Sequence, residues 1–300
     1  MSKPSSQDDD DILHMFVRSF AQTETWKLAA QLIKSPRFTE ALSSYCEVMT
    51  RPPEISWPVN KVFAQKLRYI VCFDLIGNYS RWRRRGAELP TLAALQRTAP
   101  ASARQVASFV NALRLGGYVI AERGQDRRTL HLRPSSALLK EIARSPLAFL
   151  EASERIFPVP TSLVSRIGNN DELLADWLGR SVERFRSRDI YFAPFPTIVQ
   201  FTEHDCGYPL LTAVMGANYA SLSPGAPPAL PLTYMALAER FRVSRQHIGN
   251  LFIGAKRRGW FSVVRGGKHV VVSQDLIREF EIWAAGQMAH YRIIAGEIAN

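Results

Sequence analysis

The sequence predicts a mainly α-helical protein with small β-hairpins, built from two similar halves on a shared helical scaffold. The first observation behind this prediction is an internal repeat, in which residues 91–118 match residues 233–260 without a gap. We call this alignment the repeat register. The second is the order within each copy: a short helix, a tight turn, a capped second helix, a Gly-aromatic pair and a basic hairpin. The third is that positive charge concentrates on these two stretches. Together they indicate a duplicated structural unit.

The net charge of +11 is unevenly placed along the chain. Residues 81–133 hold 11 arginines and 3 acidic residues, and residues 230–273 hold 8 lysines or arginines and 1 acidic residue, so the remainder has a balance of −4. Positive charge confined to two modules is typical of proteins that neutralise phosphates. The densest basic run, residues 81–85, fits phosphate contact and a solvated helix end equally well.

We predict that the chain divides near residue 158, where Phe157-Pro158-Val159-Pro160 interrupts the helical periodicity. Residues 1–158 then form the N-terminal half and residues 159–300 the C-terminal half. The repeated modules cover about residues 89–135 and 230–273. The last segment, Gln274–Ile298, has apolar residues every three to four positions and predicts an amphipathic packing helix.

In the first module, Pro90 or Thr91 opens a short helix and Ser102 caps the next, with Gln105 completing a capping box. The second helix has an apolar face for the core and an opposite polar face suited to the major groove of DNA, where Arg can read guanine and Asn adenine. The inward residues are Val106, Phe109, Val110 and Leu113, and the outward residues are Arg104, Ser108 and Asn111.

Two strands follow, Val119–Arg123 and Thr129–Arg133, around a basic turn. Helix, turn, recognition helix and hairpin wing in this order predict a winged helix-turn-helix, a DNA-binding module. On the wing, the candidate DNA-binding residues are Arg123, Arg127 and Arg128.

The segment from Gly117 to Ser135 resembles the recognition-helix exit and wing of the MarR family of bacterial transcription regulators, and the resemblance covers residues 75–145 well. That family places an acidic residue two positions before a wing arginine, and Asp126 and Arg128 match this pattern. The resemblance implies that Asp126 braces Arg128, which would enter the minor groove or clamp a phosphate. A carboxylate can order a guanidinium group in this way.

The second module departs from the first. Ser244 caps its second helix but His247 leaves the capping box incomplete, and the wing has no acidic partner for its basic residues. Its candidate DNA-binding residues are Arg245, Gln246, Asn250, Arg265, Lys268 and His269, with Ile253 also facing outward. Because the two recognition helices carry different side chains, we expect two unlike half-sites.

The resemblance to the MarR family also implies a dimer, in which each protomer contributes one module and terminal helices hold the protomers together. The two copies of the repeat are spaced by the length of one such protomer. The spacing therefore suggests that this chain is a fused pseudo-dimer with an approximate two-fold axis, for which further self-association is not required. Fusion replaces assembly of two chains by an effective concentration in the millimolar range. The leading hypothesis is a sequence-specific transcription regulator that binds double-stranded DNA, with a repressor favoured over an activator.

Two other functions stay open: a plasmid-type replication initiator with tandem winged helices, and an architectural or interaction module that reads no bases. The scaffold aromatics Trp26, Trp57, Trp177, Phe192 and Phe195 fit core packing better than a pocket for a small aromatic ligand. The Glu203–Cys206 cluster lacks companion ligands and predicts structure rather than a metal site. We therefore expect no enzyme activity, metal or cofactor.

The composition also predicts the cellular location of the protein. No stretch approaches the roughly 18 apolar residues of a membrane span, and the acidic N-terminal residues do not resemble a signal peptide. Cys46, Cys72 and Cys206 are odd in number and scattered, which predicts buried, reduced thiols. We expect a cytoplasmic, nucleoid-associated protein with no membrane partner.

Overall fold

The computed structural model describes residues 23–52, 63, 65–123, 129–187, 191–222, 230–264 and 269–299, without the side chains of residues 263, 264, 269 and 299. Within these ranges the chain is mainly helical, as predicted, with two separate two-stranded antiparallel sheets. The helices of the first half are α1 (Glu24–Ile33), α2 (Phe38–Thr50), α3 (Lys66–Arg85), α4 (Leu92–Thr98), α5 (Ala103–Leu115) and α6 (Ser136–Ile156). Those of the second half are α7 (Leu163–Gly168), α8 (Asp171–Ser187), α9 (Pro196–Thr202), α10 (Gly207–Leu222), α11 (Tyr234–Phe241), α12 (Arg245–Arg257) and α13 (Gln274–Ala299).

The hairpins follow α5 and α12. Strand β1 (Val119–Arg123) pairs with β2 (Leu130–Pro134), and β3 (Phe261–Val264) pairs with β4 (His269–Val272). In each hairpin the last strand leads directly into a long helix, α6 or α13. Each half therefore presents a short helix, a second helix, a hairpin and a long helix in the same order.

The scaffold helices of one half pack on those of the other. Helix α3 packs along α8, α10 packs along α2, and α6 packs against α13. The repeat register places α3 on α10 and α6 on α13, and each of these four helices packs on a helix of the other half. Helix α1 of the first half likewise packs on α13 of the second, and α7 of the second half packs on α6 of the first.

Helix α13 is more deeply buried than the predicted amphipathic pattern implies. Most of its predicted inward residues are buried and Ile277 is partly buried, but in addition every residue from 283 to 291 is buried. Small residues make this complete enclosure feasible, since a Cβ added to Gly286 would lie only 2.9 Å from the Trp26 ring of α1. One cluster of buried apolar side chains runs through both halves.

The helical break near residue 158 lies between Ile156, where α6 ends, and Leu163, where α7 begins. The apolar core does not divide there, so the domain boundary stays a prediction. All three cysteines are buried and unbridged. None of the described helices is long and apolar enough to span a lipid bilayer.

Candidate nucleic-acid interface

Helix α5 has the cap and the two faces that its sequence predicts. The Ser102 hydroxyl accepts a hydrogen bond from the Gln105 amide at 3.2 Å, and the Gln105 side chain accepts from the Ser102 amide at 3.0 Å. The apolar face is directed inward, with Val106, Val110 and Leu113 buried and Phe109 partly buried against the core. The polar face is exposed along the helix at Arg104, Ser108 and Asn111.

The first hairpin continues this exposed surface. Arg123 ends strand β1 and is exposed. Arg133 is held on the hairpin by Glu122, at 3.2 Å, and lies over the Trp82 ring, so its guanidinium is already partnered. The turn residues Asp126, Arg127 and Arg128 lie outside the described residues, so the brace suggested by the family resemblance stays a prediction.

Helix α12 repeats the arrangement of α5 with other side chains. Ser244 accepts from the His247 amide at 3.1 Å, and the inward residues Ile248, Phe252 and Ala255 are buried. The outward residues Arg245, Gln246, Asn250 and Ile253 are exposed. Of the second wing, Arg265 and Lys268 lie outside the described residues, and His269 is placed in β4 without its side chain.

The two modules share several local features, although the residue after α4, Ala99, is extended and the one after α11, Arg242, is left-handed. Thr91 and Thr233, which correspond in the repeat register, cap α4 and α11 through bonds of 3.0 and 3.2 Å. Gly117 and Gly259 close α5 and α12 with the same φ of 75°, a left-handed conformation that suits glycine. The following amides bond back to Leu113 and Ala255 at 2.8 and 3.0 Å.

The incomplete capping box of the second module has a structural explanation. His247 directs Nε2 to the carbonyl oxygen of Asp205, 2.7 Å away, instead of back to its own helix start. Asp205 lies between α9 and α10 and also pairs with Arg68 of α3 at 3.9 Å. The start of α12 is thereby tied to the scaffold of both halves. Sequence reasoning missed this link, because residues 205 and 247 lie far apart in the chain.

The basic run at residues 81–85 belongs mainly to the scaffold. Arg84 forms ion pairs with Asp176 at 2.6 Å and with Glu183 at 3.0 Å, and its side chain is only 19% exposed. Arg83 pairs with Glu172 and Arg85 with Glu183, so acidic residues of α8 pair with three of the four arginines in the run. When the run at residues 81–85 is left out, residues 86–133 still hold 7 arginines against 3 acidic residues, so the first module stays basic.

A cavity of about 370 Å³ lies between the halves and is lined by α3, α6, α8 and α13. Of the aromatics singled out from the sequence, Phe192 lines it, whereas Trp26, Trp177 and Phe195 pack in the core. Trp57 lies outside the described residues. Among the described residues, eight other aromatic residues also line the cavity: Phe63, Tyr69, Phe73, Phe149, Phe185, Tyr208, Trp283 and Tyr291.

The cavity wall includes corresponding positions of α6 and α13. In the repeat register, Glu141, Ser145 and Phe149 of α6 correspond to Trp283, Gln287 and Tyr291 of α13. In each helix these residues are four positions apart, but the two sets share no residue type, so the sequence alone does not mark them as a cavity wall.

Two residues that line the cavity carry buried donors without partners. Trp283 Nε1 and Gln287 Nε2, one helical turn apart, have no hydrogen-bond partner among the described residues. Burial raises the pKa of Glu141, which Arg144 partly offsets, and burial likewise raises the pKa of Asp74 against the effect of Arg186. The cavity therefore has an apolar body and a few convergent polar groups, which is typical of small-molecule sites.

Within the described ranges, no group of three or more His, Cys, Asp or Glu side chains is arranged to hold a metal ion. The Glu203–Cys206 segment instead contributes the Asp205 contacts to Arg68 and His247. No protein-family model, curated protein or solved structure matches this chain.

Proposed function

We propose that this chain is a transcription regulator that binds double-stranded DNA sequence-specifically through two winged helix-turn-helix modules. The observation that carries the proposal is the exposed face of α5, repeated on α12 with a corresponding serine N-cap and the same glycine turn. A helix with an exposed polar face, followed by a hairpin, fits the major groove as a recognition helix followed by a wing. The basic surroundings supply phosphate contacts.

The proposal includes a single-chain pseudo-dimer. The reciprocal packing of α3 on α8 and of α10 on α2 supports it, because each half completes its scaffold with helices of the other. Such a frame would hold two recognition helices in a fixed relation without a second chain. It would also allow the helices to diverge, as a symmetric homodimer could not, and therefore to bind two unlike half-sites.

The resemblance to the MarR family favours a regulator, and within that class we favour a repressor. The rival function is a plasmid-type replication initiator with tandem winged helices. Binding to several direct repeats with melting of the adjacent duplex would support the initiator. An architectural module would bind DNA with a steep salt dependence and no preferred site.

The proposal also includes a response to a small aromatic ligand, supported by the cavity between the halves. Its volume of about 370 Å³ suits a molecule with one or two rings. Trp283 and Gln287 line the cavity and carry unpaired buried donors, and a rotation of either side chain would present its donor to a carbonyl or carboxylate oxygen on that molecule. Thermal-shift measurements with aromatic acids and aromatic ketones test this part, with Gln287→Leu as the variant that removes one donor. A stabilisation lost in Gln287→Leu is expected, and no shift with any compound would count against a ligand site.

Selection of bound sites from a random pool of duplexes tests the DNA-binding function. We expect a defined sequence with two separated recognition segments, confirmed by gel shift at physiological salt. The variant Arg104→Ala should weaken binding to the selected site, whereas Lys34→Ala, which removes an exposed positive charge outside both modules, should not. Recovery of no common sequence would refute the proposal.

A further inference from the structure

Helices α5 and α12 present three corresponding positions with different chemistry. On α5 these are Arg104, Ser108 and Asn111, and in the repeat register they correspond to Gln246, Asn250 and Ile253 of α12. In both helices the spacing of four and then three positions places the side chains on one face. All six are exposed, so none is required for the core.

The first position of α5 carries a free charge. Arg104 is exposed and forms no ion pair with any described residue. An unpaired guanidinium near the start of a recognition helix can donate two parallel hydrogen bonds to O6 and N7 of guanine. The corresponding Gln246 of α12 is neutral and has both a donor and an acceptor, so it cannot reproduce this charged contact.

On α12 the first two positions act as a pair. Gln246 Nε2 donates to Asn250 Oδ1 at 2.9 Å, which fixes both amides relative to each other. The pair then offers Gln246 Oε1 as an acceptor and Asn250 Nδ2 as a donor. Adenine presents the complementary groups in the major groove, an N6 donor beside the N7 acceptor. Because the amides are already bonded to each other, less rotamer freedom remains to be lost on binding.

The third position of α12 is apolar although it faces water. Ile253 is 48% exposed, on a face otherwise formed by the Gln246 and Asn250 amides. At the corresponding position α5 carries the polar Asn111. The major-groove group that an aliphatic side chain contacts favourably is the C5-methyl of thymine.

We infer that the two half-sites differ in base composition: α5 reads guanine through Arg104, and α12 reads an A·T segment through Gln246, Asn250 and Ile253. This inference rests on the proposed function and adds the chemistry of recognition to it. Ile253 thereby becomes a specificity-determining residue that contributes through a methyl contact rather than a hydrogen bond.

Thymine replacement tests the Ile253 contact directly. In the selected site, each thymine of the α12 half is replaced in turn by deoxyuracil, which lacks only the C5-methyl group. We expect one replacement to weaken binding of the wild type severalfold and to leave binding of Ile253→Ala unchanged, because the contact is already lost. Equal weakening of both proteins, or of neither, would overturn the role of Ile253.

Exchange of the three positions tests the rest of the inference. The variant Gln246→Arg/Asn250→Ser/Ile253→Asn gives α12 the side chains of α5 at exposed positions, so we expect it to remain folded with an unchanged circular dichroism spectrum. Site selection with this variant should yield guanine in both half-sites. A triple variant that still selects an A·T half-site, or a wild type that selects guanine in both, would overturn the inference while leaving the proposed function intact. Recovery of no preferred site by the wild type would overturn both.

Discussion

The crossing of α3 and α8, which joins the two halves, depends on the absence of a side chain at Gly179. A Cβ placed on Gly179 would lie 2.2 Å from Cβ and 2.3 Å from Oγ of Ser80. Carbon atoms in favourable contact are separated by about 3.5–4.0 Å, so Gly179→Ala would push the helices apart by more than an ångström at this point. Ser80 is 1% exposed, and its Cβ cannot move without moving the backbone of α3.

Two effects oppose each other in Gly179→Ala. Replacing glycine by alanine within a helix stabilises it by up to about 1 kcal/mol, whereas overpacking a close contact typically costs about 1–3 kcal/mol and occasionally more. Because the clash here involves a Cβ that cannot rotate away, we expect the upper part of that range and a net loss of about 2 kcal/mol. Urea denaturation followed by circular dichroism measures this difference in the free energy of unfolding.

Two further variants isolate the steric cause. Gly296→Ala, where the added Cβ meets no atom within 4 Å, should be as stable as the wild type or slightly more stable. The double variant Gly179→Ala/Ser80→Gly removes the opposing Cβ and should recover part of the loss, giving a favourable coupling between the two sites. If Gly179→Ala were as stable as the wild type, the close crossing of the halves would be refuted.

Three other predictions concern charge and recognition. Burial lowers the pKa of His290 to about 3, so the stability that neutral His290 contributes is full above pH 6.5 and is lost as the pH falls towards 3. Relative to His290→Gln, the free energy of unfolding of the wild type should fall by about 2 kcal/mol between pH 7 and pH 5. Parallel pH profiles of the two proteins would contradict this. Arg84→Met removes one of two arginine partners from Asp176 and from Glu183, so it should cost about 1 kcal/mol, with a smaller loss in high salt. An unchanged free energy of unfolding in urea would contradict a stabilising role for these ion pairs. Arg104→Ala should relax the preference for one base pair by about 1–3 kcal/mol in competition binding, and a uniform loss over all sequences would indicate a phosphate contact instead.

The local features of both modules could be predicted from the sequence. Thr91, Ser102 and Ser244 accept bonds from amides three residues away, so the signal and the structure lie in the same short segment. The inward and outward faces of α5 and α12 follow from helical periodicity for the same reason. The exposure of Arg104 and Asn250 was therefore predictable, although their contact with DNA stays a prediction.

The features that could not be predicted depend on residues far apart in the chain. The arginines at the end of α3 pair with acidic residues of α8, which lie beyond the whole first module in the chain, so from the sequence they were equally suited to phosphate. The cavity is lined by both halves, so neither half shows it alone. In α13, alanines at 284, 285 and 289 are buried beside the large apolar residues, and a search for large apolar spacing passes over them.

Footprinting of the selected duplex with a single chain bound tests the central claim most directly. Native mass spectrometry of the same complex gives the number of chains on each duplex. We predict one chain for each duplex and two protected major-groove segments, separated by about one helical turn or a multiple of it and unlike in sequence. Protection confined to one major-groove segment, or two identical segments that require two chains, would contradict the fused pseudo-dimer.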